Sequence, residues 1–434
     1  MEQKRQLREI NNFTPGLPQF SCILANKDCP LHCKMCFDWK NPQDNLKNKM
    51  VNFEKYIKGL AEFINYPLEI NILGGEPLME DCIFDLIKLI SDYGFISIIS
   101  TNGYLIDENM AKRIMESPLS GLAISLESLN GKVHDYYRGK KGVADRVFEA
   151  LKLLEKHKKS KGPIIDILTI IMEKNLDDIV DLVKWVDRND FIIHISFLVL
   201  LNSIVRPGGP DWFKKEAFKD IWPSDAKKVS QLIDQLVAMK KSGSKIFNPS
   251  SQFAEFKQYY QDPVESFYNT SYSIKDSILD MEADGELYLG GYRLGNINDE
   301  MSLKEMWYSK QANEIRKRIA IYGLNITRTN LINFLCVFPA DDNVGQISQR
   351  GFFLQRQGKY DLALEQFKKA AEMAPKNAKA HLGVAYNYLK LKNYRAAVYE
   401  YEKVLKLDTS LYGEFKFDYD LARKTVSKDI TDND

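Results

Sequence analysis

An α/β fold built on a parallel sheet is what this sequence predicts, with two differently textured segments behind it. Three observations carry the expectation. Short runs rich in Ile, Leu and Val alternate with amphipathic stretches of helical length between residues 20 and 200. The length of 434 residues corresponds to about three domains at roughly 150 residues each. The texture then changes near residue 201 and again near 345.

The strand candidates are Phe20–Asn26, Leu68–Leu73, Ile96–Ser100, Leu122–Leu126, Ile164–Ile171 and Phe191–Val199. Each is short and apolar, as strands buried on both faces should be. Between them lie Phe53–Ile64, Cys82–Tyr93, Asp107–Glu116, Val143–His157 and Leu176–Arg188, with the periodicity of helices. Asp107 is suited to cap its helix. Six βα units in series imply a parallel sheet, and either a partial barrel or a doubly wound sheet would fit. Beyond it, Asn202–Pro223 looks like a long loop and Ser224–Lys241 like a helix. Met281–Leu289 reads as a hairpin turning at Asp284 and Gly285, and Leu303–Ile319 as a helix.

Near the end the sequence repeats itself. Tyr360, Ala363 and Phe367 recur 34 residues later as Tyr394, Ala397 and Tyr401. That period and the consensus residues Gly358, Ala370 and Pro375 resemble the tetratricopeptide repeat, a helix–turn–helix unit. The second copy departs at Lys392 and Thr409, where the first has Gly and Pro. Two repeats bury little surface alone, so a capping helix is expected from Leu411–Val426, before a polar tail.

Composition narrows the function. Sixty basic against 59 acidic residues leave a net charge of +1. That balance argues against a broad nucleic-acid footprint or a polybasic membrane surface. The longest apolar run, Phe191–Leu201, is too short for a bilayer, which needs roughly 20 residues. The first residues lack the apolar core of a secretory signal, so a cytoplasmic location is expected. In a reducing compartment, clustered cysteines point to metal binding or catalysis.

Three of six cysteines are clustered: Cys29, Cys33 and Cys36, at CxxxCxxC spacing after the first strand. Three thiolates would ligate three irons of a cubic 4Fe–4S cluster and leave the fourth open. Zinc is the alternative, with His32 as a fourth ligand, although structural zinc normally takes recognisable pairs. Three more motifs follow successive strands. They are Gly74-Gly75-Glu76-Pro77, then Thr101-Asn102-Gly103, then Ser125-Leu126-Glu127 with His134, Asp135, Arg138 and Gly139. All lie at the C-terminal strand ends, where parallel α/β folds bind ligands.

Together these motifs resemble the radical S-adenosylmethionine (radical SAM) superfamily. The resemblance implies a partial (β/α)6 TIM-like barrel over residues 21–200. It implies one 4Fe–4S cluster on Cys29, Cys33 and Cys36. It also implies S-adenosylmethionine held by Gly74, Gly75, Glu76, Pro77, Thr101, Asn102, Ser125, Glu127 and Arg138. In that family the cluster cleaves S-adenosylmethionine reductively, and the resulting radical abstracts hydrogen from the substrate. An electron donor such as flavodoxin or ferredoxin is then required.

Residues 201–340 are similar to the small α+β SPASM extension of such enzymes, through Leu294-Gly295-Asn296-Ile297 and Ser302-Leu303 with Trp307. Gly290 and Gly291 stand where that extension has a hairpin cysteine. Only Cys336 remains, so no auxiliary cluster is expected, since one thiolate cannot hold one. By resemblance to radical epimerases, Cys336 is a candidate hydrogen donor; its bland alternative is a buried small hydrophobe. The expected organisation is a segment 1–20, core 21–200, extension 201–340, all-α repeats 345–410, and cap with tail 411–434. The expected activity is hydrogen abstraction from a peptide, a protein or a polyhydroxylated small molecule, with a protein partner on the repeats. The competing reading is a zinc-containing repeat scaffold without catalysis.

Overall fold

The computed structural model describes residues 16–18, 20–36, 49–158, 162–189, 191–197, 212–214, 216–248, 250–262, 278–322, 348, 351, 354–355 and 360–431. The chain divides into two compact units, Met1–Val237 with Lys245–Val337, and Ala238–Ser244 with Phe338–Asp434.

The first unit is organised by one nine-stranded sheet in the order β6-β5-β4-β3-β2-β1-β7-β8-β9. The strands are β1 (Phe20–Leu24), β2 (Glu69–Leu73), β3 (Ile96–Thr101), β4 (Gly121–Ser125), β5 (Ile164–Ile171) and β6 (Ile192–Phe197), then β7 (Ile278–Glu282), β8 (Glu286–Leu289) and β9 (Tyr292–Asn296). Strands β1 to β7 pair in parallel. The crossovers carry helices α1 (Lys49–Ala61), α2 (Ile83–Asp92), α3 (Glu108–Glu116), α4 (Gly131–Arg138), α5 (Val143–Lys156) and α6 (Ile179–Arg188). After β6 come α7 (Ala226–Lys241) and α8 (Ser250–Gln261).

The strand order decides between the two sheets left open by the sequence. From β1 to β6 each strand is laid on the same side of its predecessor. Right-handed crossovers then put every crossover helix on one face. A doubly wound sheet would reverse direction in the middle. Burial agrees. The register aligns Ile23, Ile72, Ile99, Leu122 and Ile165 in one row toward the helices, and all are buried. The alternate residues Ile98, Ser100, Ser125, Asp166, Leu168 and Ile170 are half-exposed and form the inner face. Singly wound strands with an open inner face agree with a partial barrel.

Local signals fix the ends. The Asp107 carboxylate caps α3 by accepting from Met110 N at 2.8 Å. Helix α4 escaped sequence reading because it is only one polar octet. The expected hairpin is present: Gly285 takes φ +91° at the β7–β8 turn. Gly290 and Gly291, at φ +54° and +80°, close β8 on β9 as a two-residue turn. That turn needs two left-handed residues, which glycine supplies. The helix expected over Leu303–Ile319 breaks at extended Ser309 into α9 (Leu303–Tyr308) and α10 (Lys310–Tyr322). A capping box between Ser302 and Glu305 starts α9. Trp307 is fully buried and donates Nε1–H to Gly16 O at 2.9 Å. Among the described residues no helix is long and apolar enough to cross a membrane.

The second unit contains α11 (Tyr360–Met373), α12 (Ala378–Lys390), α13 (Tyr394–Leu407) and α14 (Tyr412–Thr431). The repeat residues Ala363, Phe367, Ala397 and Tyr401 are all fully buried. Helix α14 covers the second repeat by stacking Phe415 on Tyr401, with centroids 4.9 Å apart. Phe367 lies against bare glycine: a Cβ on Gly383 would stand 2.1 Å from its ring. Lys392 sits just past α12 at φ +60°, where Asn393 N–H bonds back to Tyr388 O. This helix stop favours glycine, and a side chain there costs roughly 1–2 kcal/mol. Lys392→Gly should therefore stabilise the second unit by about 1 kcal/mol, read as a higher urea midpoint. Gly383→Ala should lower that midpoint, by about 1–3 kcal/mol of overpacking.

Candidate functional site

The cysteine loop leaves β1 at Leu24 and runs over the C-terminal strand ends. Cys33 is buried, while Cys29 and Cys36 are half-buried. Asn102 Nδ2 donates to Cys29 Sγ at 3.5 Å, and Arg138 Nη1 to Cys33 Sγ at 3.8 Å. Burial pushes the Cys29 thiol up to about 11; the Leu31 backbone opposes this and the nearby Cys33 sulfur adds to it. Burial also raises Cys33, against the pull of the Arg138 guanidinium. Two sulfurs thus already face donors that favour a thiolate, the form metals bind. Among the described residues no three His, Cys, Asp or Glu side chains converge on a point suited to one ion. Thiolates on separate irons of one cluster stand farther apart than ligands of a single ion. The donor set, three cysteine thiols of which two face N–H donors, is one that an iron–sulfur cluster uses.

The second motif is bound to this loop through the backbone. Gly75 N donates to Asn26 O at 3.0 Å and Glu76 N to Asp28 O at 2.7 Å. A Cβ on Gly75 would stand 2.1 Å from Asp28 O, and one on Gly74 2.5 Å from Asn26 O. The glycines thus permit a close approach between the β2 end and the cysteine loop. Asn26, which sequence reasoning passed over, secures the junction by accepting from Glu76 N and donating to Glu76 O. Its only sequence signal was an amide at the end of an apolar strand.

Glu76 is fully buried and ties the second motif to the third. Its Oε1 accepts from Thr101 Oγ1 at 2.7 Å and Leu78 N at 3.1 Å, and its Oε2 from Asn102 N at 2.8 Å. Pro77 opens the short 3-10 turn that Glu76 caps. Burial pushes this carboxyl up, and those three donors oppose the rise.

The fourth motif is a buried ion pair. Arg138 pairs with Glu127, whose other oxygen accepts from Ile170 N at 2.9 Å. Burial works against the Arg138 charge, but the Glu127 carboxylate and the Cys33 sulfur hold its pKa above the ordinary value. His134 accepts from Glu127 N at 3.1 Å through Nδ1, and burial lowers its pKa to about 3, so it stays neutral. Gly139 ends α4 at φ +68°, and a Cβ there would stand 2.1 Å from His32 O in the cysteine loop. Ser125 is half-buried on the inner face at the end of β4. Cys336 lies outside the described residues.

Deeper on the inner face, Asp280 is buried and accepts from Cys22 N at 3.1 Å. Burial pushes its carboxyl from 3.8 up to about 8.

Three outcomes follow from this geometry. Arg138→Met should cost about 3–5 kcal/mol, because it leaves the buried Glu127 carboxylate without its charged partner; chemical unfolding measures it. Gly139→Ala should lower stability and loosen the cysteine loop, read as faster thiol alkylation at Cys33. Asp280 keeps a proton when folded that the unfolded chain loses above about pH 3.8, so it makes stability fall as pH rises toward about 8. Asp280→Asn should remove that loss, so its stability advantage should grow from pH 5 to 8 in urea titrations at those two values.

The comparisons with known proteins agree with this geometry. The radical SAM superfamily model matches residues 24–186, and a tetratricopeptide repeat model matches residues 354–410. An AdoMet-dependent heme synthase of Methanosarcina barkeri is 24% identical over 172 residues, 39% of this chain and 48% of that protein. A GTP 3',8-cyclase of Clostridium perfringens is 30% identical over 187 residues, 41% of this chain and 54% of that one. The chain thus spans about half the length of these curated relatives. In fold it is similar to Streptococcus suis SuiB bound to S-adenosylmethionine, with a TM-score of 0.53, 16% identity and 75% of each chain covered. SuiB has also been crystallised with its precursor peptide SuiA, and that structure matches at a TM-score of 0.51, 16% identity, 72% of this chain and 69% of that one. The chain anSMEcpe, bound to AdoMet and a peptide, matches at a TM-score of 0.51 and 18% identity, covering 81% of this chain and 99% of that one. The cysteine loop and the strand-end motifs knitted to it thus lie in a radical SAM domain, which this chain carries together with a tetratricopeptide repeat.

Proposed function

We propose that this chain is a radical SAM enzyme that abstracts hydrogen from a peptide, a protein or a polyhydroxylated small molecule. Cys29, Cys33 and Cys36 would hold one 4Fe–4S cluster, and Gly74–Pro77, Thr101, Asn102, Ser125, Glu127 and Arg138 would surround S-adenosylmethionine. When bound, the two together supply one-electron reductive cleavage and a hydrogen-abstracting radical. The observation that carries the reading is the binding of three strand-end motifs to one three-thiol loop, through Asp28, Asn102 and Arg138.

The chain's own residues then do the positioning. Arg138 and Asn102 direct donors at the cluster thiolates, which stabilises negative charge on sulfur. Glu76 and Glu127 keep Asn102 and Arg138 in place rather than reacting themselves. The half-exposed inner face below them is where substrate would lie. No auxiliary cluster is part of this reading, since Gly290 and Gly291 shape a turn and cannot ligate iron. An electron donor such as flavodoxin or ferredoxin would reduce the cluster. The repeats would engage the peptide or a protein partner, because helical repeats present extended surfaces.

Anaerobic reconstitution with iron and sulfide tests the reading. The chain should turn brown, its reduced EPR spectrum should change with S-adenosylmethionine, and deoxyadenosine should form. Cys33→Ala should lose the cluster and deoxyadenosine formation together. A colourless chain with stoichiometric zinc would instead establish the scaffold reading.

A further inference from the structure

Helix α4 has a second side. His134, Tyr137 and Arg138 are buried on the side that reaches Cys33. Exposed Lys132 and half-buried Tyr136 lie one turn apart on the opposite side, and Lys140 and exposed Lys141 follow the helix end. The cysteine loop is part of the same surface. Its exposed Lys34 donates its backbone N–H to Tyr137 O at 2.8 Å and sets its ammonium over the Tyr136 ring, 4.5 Å from the centroid. Lys174 approaches that ring at 5.2 Å, and Lys140 lies over the Tyr104 ring at 4.0 Å. A ring face holds an ammonium in place without neutralising it.

The charges here do not cancel. Among the described residues Lys34, Lys132 and Lys140 make no ion pair. Asp220 accepts from the Tyr136 hydroxyl at 2.7 Å and pairs with Lys174 at 3.3 Å. Asp135 is turned to Gly142 N and Ala144 N, at 2.6 and 2.9 Å, and Glu173 to Ser224 Oγ at 3.0 Å. Five lysines against these three carboxylates leave the surface positive, in a chain whose net charge is only +1. It is also close to the thiols. The width of one helix, roughly 10 Å, separates the outer side of α4 from the side that holds Arg138 against Cys33.

We propose that Lys34, Lys132, Lys140, Lys141 and Lys174, gathered around Tyr136, form the docking face for a small acidic one-electron carrier protein. It rests on the radical SAM reading above and names where the reductant meets the chain. A carrier seated here comes near the cysteine loop from outside and leaves the inner face free for substrate. One electron would leave the carrier and enter the cluster, with no bond made or broken. Complementary charge orients such a brief encounter and raises its rate.

The test is calorimetric binding of two acidic probes, a flavodoxin and a ferredoxin, to the full chain reconstituted anaerobically. At least one should bind, with an affinity that falls as salt rises. Lys132→Glu combined with Lys140→Glu should weaken it about tenfold or more. Lys112→Glu combined with Lys304→Glu makes the same change in net charge at exposed lysines elsewhere, and should bind as the parent does. Deoxyadenosine formed with the reduced carrier should fall in the first pair and stay unchanged with dithionite, a reductant that needs no docking. Melting curves check that the variants fold, and the milder Lys132→Ala with Lys140→Ala takes over if the reversal does not. No binding of either carrier to the parent, binding indifferent to salt, or equal affinity in the two pairs of reversals would each overturn the docking face. Deoxyadenosine from dithionite without charge-dependent carrier binding removes only the docking face. Charge-dependent binding without deoxyadenosine from either reductant removes the radical SAM reading.

Discussion

The site depends on one close contact: the cysteine loop lies directly on bare backbone at two places. Gly75 meets Asp28 on one side, and Gly139 meets His32 on the other. No side chain fits at either junction. With the loop fixed this closely, the two short hydrogen bonds from Gly75 and Glu76 can hold its path. The buried carboxylates are then needed as ties. Glu76 secures the β3 end and Glu127 secures Arg138, so each anion is met by donors rather than left alone. Burying them is expensive, and it fixes the donors that face Cys29 and Cys33 to one geometry.

Much of this was legible in the sequence because the motifs are local. Gly74, Gly75 and Asn102 directly follow strand ends, the cysteines share one loop after β1, and the apolar runs located those strands. Asp107 was readable as a cap for the same reason. What the sequence hid is relational. That Glu76 bonds Thr101, 25 residues away in the chain, depends on β2 and β3 being neighbours in the sheet. Asn26 carries no motif of its own. Helix α4 is too short for periodicity to show, yet it delivers Arg138.

The two units show opposite ways of using glycine. In the first, glycine lets backbone approach backbone around a reactive loop. In the second, Gly383 lets an aromatic ring sit against a helix, which is a packing device. The repeat pattern marked Phe367 and Tyr401 as equivalent positions, and both are fully buried. It did not announce that Lys392 would take a glycine's backbone geometry without being one.

The turn between β8 and β9 also constrains how this chain can change. Both of its glycines hold left-handed backbone, a conformation that side chains resist. Placing a cysteine at either position would strain the hairpin. The turn therefore biases both positions toward glycine: a side chain could be placed there only at a cost in backbone strain, as Lys392 shows in the second unit.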